Sequence, residues 1–239
     1  MKKSLLLRIF MVQVLFYTSC FASPAIKEIE QFKRKGLEVY KTPFGLTIIC
    51  TKKTIVTDEE WKRALTIPGI TSFAFGYSCP ANEHRVRMVG EIKTLQKLYF
   101  VKISNFKDEW LLYIVNPENL IEFEIVDSPV TTKAYAMIGK FKNLKNLHLW
   151  SDRLTSDNFE YLVGLSKLEE LEVGSKLDSR AVPSIINMKK LRSLSVVETG
   201  LSSNDIYIIE KERRKLYPKQ EFEIDYSNRL GTSSREGEY

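Results

Sequence analysis

The residues that could carry chemistry in this chain are few. There are two histidines, His84 and His148, and three cysteines, Cys20, Cys50 and Cys79. Neither histidine has Cys, His or carboxylate neighbours at the spacing a metal site needs. The 11 glycines are scattered, with no glycine-rich phosphate loop and no strand–turn–helix nucleophile elbow. This pattern implies no catalytic residues, no metal and no cofactor, so an enzyme is not expected. What remains is recognition chemistry. Tyr99, Val101, Val126 and Trp150 are apolar or aromatic, and Glu122, Glu124, Glu170 and Glu172 recur beside them. Brought onto one surface, the aromatics would be anchors and the carboxylates would favour a ligand with basic groups. His148 would then sit between Glu124 and Glu172, where its proton is favoured and binding would vary with pH.

Whether they share a surface depends on the elements that carry them, and here the chain repeats. Leu95-x-x-Leu98-x-Phe100 is followed by Leu120-x-x-Phe123-x-Ile125, Leu144-x-x-Leu147-x-Leu149, Leu168-x-x-Leu171-x-Val173 and Leu191-x-x-Leu194-x-Val196. Successive first leucines are 25, 24, 24 and 23 residues apart. Earlier copies are Ile70-x-x-Phe73-x-Phe75 and the stretch Leu46 to Cys50, and Phe222-x-Ile224 is a looser closing copy. Apolar residues two apart mark a half-buried strand. The rest of each unit turns to helical spacing, as in Phe159, Leu162, Val163 and Leu165, repeated at Val182, Ile185, Ile186 and Met188. Side-chain oxygens at Thr131/Thr132, Thr155/Ser156/Asp157, Asp178/Ser179 and Ser202/Ser203 can cap those helices. No unit can bury its apolar face alone, so the units must stack.

This pattern resembles the leucine-rich-repeat superfamily, in particular bacterial exported repeat proteins with helices on the convex side. Leu194-Ser195-Val196-Val197-Glu198-Thr199-Gly200-Leu201-Ser202 and Ile55-Val56-Thr57-Asp58 carry the likeness. Ser128, Asp152 and Lys176 stand where many members have asparagine. The resemblance implies an α/β solenoid, a curved parallel sheet of about eight strands, over residues 44–226. It implies a type of role and no ligand.

Stacking turns the outward positions of the strands into columns. The middle column reads Ile49, Ala74, Tyr99, Glu124, His148, Glu172, Ser195, Glu223. The column after it includes Val101, Val126, Trp150 and Gly174, and the column before it Lys97, Glu122, Asn146, Glu170 and Ser193. Neighbouring strands are about 4.8 Å apart, so Tyr99, Val101, Val126 and Trp150 are expected to form an exposed apolar strip.

Residues 1–22 read as a signal peptide. Lys2 and Lys3 precede an apolar run from Ile9 to Tyr17, too short to span a bilayer, which needs roughly 20 residues. Cys20 and Ala22 suit cleavage before Ser23. Cys20, after Thr18-Ser19, also resembles the lipid-acceptor cysteine of bacterial lipoproteins, with Tyr17 where that pattern has an aliphatic residue. Export to the periplasm, cell surface or medium is expected, with membrane attachment through a lipidated Cys20 as the variant reading. An oxidising compartment would permit a Cys50–Cys79 bridge. Residues 23–43, with Ile26, Ile29 and Phe32 at helical spacing and Gly36 to end the helix, are expected as a helical cap, and 227–239 as a disordered tail. The net charge of +6 falls once the leader is removed, leaving 33 basic side chains against 30 acidic ones, which does not point to nucleic acid. Lys140, Lys142, Lys145, Lys167, Lys189, Lys190, Arg192, Arg214 and Lys215 fall at the helix-to-strand returns, where they suit helix dipoles or an anionic surface. The expected function is a non-enzymatic exported binding module using its concave face for a protein or envelope component. The alternative is a structural spacer in an envelope assembly.

Overall fold

A strand with apolar residues on one face only is stable when neighbours extend that face into a continuous core. In the computed structural model, which describes residues 24–51, 53–77 and 79–226, nine strands do this in sequence order. They are β1 (Leu37–Thr42), β2 (Gly45–Cys50), β3 (Ile70–Phe75), β4 (Lys97–Val101), β5 (Glu122–Val126), β6 (Asn146–Thr155), β7 (Glu170–Lys176), β8 (Ser193–Ser195) and β9 (Glu223–Asp225). From β2 onward every pairing is parallel. The column Ile48, Phe73, Leu98, Phe123, Leu147, Leu171, Leu194 runs through the sheet in register, and its members are buried.

The connections carry helices α1 (Pro24–Arg34), α2 (Asp58–Leu65), α3 (Glu83–Gly90), α4 (Thr132–Ile138), α5 (Ser156–Phe159), α6 (Val182–Asn187) and α7 (Ser203–Leu216). The turns leading into α4, α5, α6 and α7 start where side-chain oxygens were expected to cap them. Thr131 accepts from the Lys133 amide, Asp178 caps the 3-10 turn that leads into α6, and Ser202 and Asp205 form a reciprocal capping box. The link between β4 and β5 departs from the expected helix. It holds two 3-10 turns, Asp108–Tyr113 and Pro117–Asn119. Pro117 has no amide to continue a helix, and Asp108 is drawn instead to the next unit, accepting from the Thr131 hydroxyl and amide.

The expectations for the two ends of the sheet need correction. Among the described residues the sheet has nine strands, not about eight, because the segment 23–43, expected as a helical cap, is helical over Pro24–Arg34 and then forms β1. Gly36, at φ +79, ends α1, and a Cβ there would lie 2.5 Å from the Lys53 carbonyl oxygen. Leu37 and Val39 then alternate with polar residues, and β1 folds back antiparallel onto β2. The closing strand is shifted by two residues: Leu194 pairs with Ile224, and Ser195 with Asp225 rather than Glu223. A slip of two preserves which face each side chain takes, and it frees Phe222 to stack on the Arg213 guanidinium, 4.4 Å away. At the positions where asparagine was missing, only Ser128 turns inward. Its hydroxyl accepts from the Ile103 amide and donates to the Val126 carbonyl, whereas Asp152 and Lys176 are exposed. The leader, Cys20 and the tail 227–239 lie outside the described residues.

Candidate binding face

Parallel pairing sets Tyr99, Glu124, His148 and Glu172 side by side, with Val101, Val126, Trp150 and Gly174 in the adjoining column. His84 is exposed on α3 and does not join His148.

The apolar strip is not exposed as expected. Tyr99 is 3% and Val126 8% exposed. Tyr99 has small neighbours on β3, Ala74 opposite it in the register and Ser72 beside that, so its ring has room to lie down over the sheet. Its hydroxyl donates to Glu122 Oε1 at 2.7 Å. Burial first, then the charge of Glu122, pushes the phenol's pKa far up, so Tyr99 stays a protonated donor. Val101 and Trp150 are half-buried.

Trp150 owes its posture to Gly174. A Cβ at 174 would meet ring atoms of Trp150 at 2.8, 3.0 and 3.1 Å, so the indole rests flat on the bare backbone of β7. Its Nε1 donates to Glu172 Oε1 at 3.0 Å. The glycine stands opposite Trp150 in the repeat alignment, and that pairing was the signal available in the sequence.

The carboxylates are matched across strands. Glu122 meets Lys97 Nζ at 2.6 Å, Glu170 accepts from the Asn146 side-chain amide, and Glu172 holds Trp150. His148 Nδ1 lies 3.6 Å from Glu124 Oε2, an ion-pair rather than a hydrogen-bond distance. Burial works to lower the imidazole pKa, but Glu124, together with the charges of Glu172 and Glu122, outweighs it and raises the pKa above its ordinary value. The open face therefore offers one flat indole, one readily protonated imidazole and the two carboxylates flanking it.

Beside the sheet, Cys50 and Cys79 are joined by a disulfide with a Cα separation of 5.6 Å. Among the described residues, no three His, Cys, Asp or Glu side chains are grouped so as to hold a metal. A cavity of about 430 Å³ lined by Glu210, Arg213, Tyr217 and Phe222 lies at the C-terminal end of the sheet, away from His148.

No family model matches this sequence, and no curated protein matches it. Among solved structures it is similar to an internalin of Listeria monocytogenes, with a TM-score of 0.42 and 14% identity. The match covers 69% of this chain and 55% of the internalin chain, so this protein spans about 55% of that chain's length. No helix among the described residues is long and apolar enough to cross a membrane.

Proposed function

We propose that this chain is an exported, non-enzymatic leucine-rich-repeat solenoid that binds a protein or an envelope component on the open face of its sheet. The observation that carries the reading is the register-locked group of Trp150, His148, Glu124 and Glu172. A half-buried indole held against a glycine presents apolar area without the entropy cost of ordering a free side chain, which suits an anchor. The flanking carboxylates match a ligand that combines an apolar group with basic ones, and such a ligand competes with protonated His148 for them. Tyr99 and Val126, being buried, support the surface from beneath instead of contacting the ligand. The repeat of strand units over residues 44–226 and the apolar leader at 1–22 favour an exported repeat protein, and the Cys50–Cys79 bridge suits an oxidising compartment.

A pull-down from the native envelope fraction, with wild type and Trp150→Ala side by side, tests the site. Loss of the same partners from the Trp150→Ala sample is expected, and equal recovery at equal strength overturns the assignment. The mass of the exported chain separates a free Ser23 terminus from a lipidated Cys20.

A further inference from the structure

The returns from helix to strand enter the sheet at one edge, because the strands from β2 onward are parallel. Backbone bonds stack these entries: Glu169 N donates to Lys145 O, Arg192 N to Glu169 O, and Glu223 N to Arg192 O. From β6 onward the returns are strongly basic. The entry to β6 carries Lys140, Lys142 and Lys145, and the entry to β8 carries Lys189, Lys190 and Arg192. The approach to β9 adds Arg214, Lys215 and Lys219, and that to β7 adds Lys167. Glu169 and Glu221 are the carboxylates within these four returns. The returns before β4 and β5 differ, with Glu91 balancing Lys93 and with Glu118 alone. The positive edge thus belongs to the C-terminal half of the molecule.

Compensation of helix dipoles accounts for only part of it. Lys142 Nζ donates to the Gly139 carbonyl at the end of α4, at 2.7 Å. Buried Arg213 donates to the carbonyls of Ile185, Ile186, Met188 and Leu191 around the end of α6. With those two helix ends answered, and with Arg214 and Lys215 placed in the last turn of α7 to serve its dipole, the cations of the loops themselves are surplus to that role and point to solvent. Lys145 and Lys215 reach Glu169 and Glu212 at 3.4 and 3.7 Å, which are exposed pairs of small worth.

We propose that this edge docks on an anionic lipid surface, independently of the ligand on the open face. Eight of the ten cations are lysines, which act as point charges on flexible stems and suit a diffuse array of headgroups better than fixed bidentate recognition. Leu216 stands half-exposed directly after Lys215, placed to enter the headgroup boundary as an apolar residue flanked by cations. Nucleic acid fits less well. Phe141 is buried and Tyr217 is engaged by Arg213 at 5.1 Å, so neither is free to stack on bases.

The test is sedimentation of the full chain with vesicles of phosphatidylcholine alone and of phosphatidylcholine with phosphatidylglycerol. Two triple variants carry the same leader, so its contribution cancels. Lys189→Glu/Lys190→Glu/Arg192→Glu alters the edge, and Lys62→Glu/Lys107→Glu/Lys176→Glu makes the same charge change elsewhere. Circular dichroism melts check that both fold. The expected result is preferential, salt-sensitive binding to the anionic vesicles, weakened at least about tenfold by the edge variant and much less by the other. Equal weakening by both variants reduces the effect to net charge and overturns the edge. Binding to a mixed-sequence DNA duplex that outlasts vesicle binding as salt is raised overturns the lipid assignment.

Discussion

Gly174→Ala is a decisive perturbation because the structure fixes its sign. Gly174 has no positive φ, so alanine suits the backbone and would by itself stabilise a strand interior by about 0.5–1 kcal/mol. The new methyl, however, would lie 2.8 Å from Trp150 Cδ2, closer than atoms can pack. The indole is half-buried and can swing outward, so the clash is relieved at the cost of the ring's contact with β7 and the Nε1 bond to Glu172. Overpacking of this kind costs about 1–3 kcal/mol, and water partly replaces the lost hydrogen bond. The net expectation is a destabilisation of about 1–2 kcal/mol, read as a lower urea midpoint at unchanged slope. Fluorescence gives an independent readout. Trp61 and Trp110 are 0% and 2% exposed, so a red shift of emission reports Trp150. In a Trp150→Ala background the same glycine change should become neutral or stabilising. An unchanged midpoint together with unchanged emission in the single variant would refute the packing of the indole on Gly174.

Other perturbations probe the core, the charge pattern and the bridge. Leu147→Ala opens a cavity in the stacked column and should cost about 2–5 kcal/mol in equilibrium unfolding, a loss under about 1 kcal/mol being incompatible with its 0% exposure. Because the folded-state pKa of His148 is raised, its contribution to stability is fully present below the unfolded value of about 6.5 and is lost as pH rises through the folded one. Wild type should therefore exceed His148→Gln in stability at acidic pH, the gap closing towards alkaline pH, and a gap independent of pH in urea titrations would count against the Glu124–His148–Glu172 coupling. Cys50→Ser/Cys79→Ser releases a loop spanning 29 residues and should cost about 3–4 kcal/mol, measurable as a drop in melting temperature that a reductant reproduces in the wild type.

Much of this protein was legible before any tertiary structure. A strand period of two and a unit length of 23 to 25 residues settle which side chains are buried in the column from Phe73 to Leu194. They settle equally which ones share the open face. Helix starts were legible because Thr131, Asp178 and Ser202 each offer an oxygen to amides that would otherwise lack a partner. Those are local or strictly periodic facts, so the chain states them directly. What lies on top of an outward-facing position is different, since it depends on the size of neighbours a whole unit away. Ala74 and Ser72 gave Tyr99 room to lie down and become buried, and Gly174 gave Trp150 a floor. The carboxylates of Glu122, Glu170 and Glu172 found donors one strand over, so the acidic face is largely a set of closed pairs. At the two ends, where a neighbour is missing on one side, periodicity no longer constrains the chain. There β1 turned back antiparallel and β9 slid by two residues, because burying Leu37 and Val39 at one end and seating Phe222 on Arg213 at the other were decided by contacts that exist only in three dimensions.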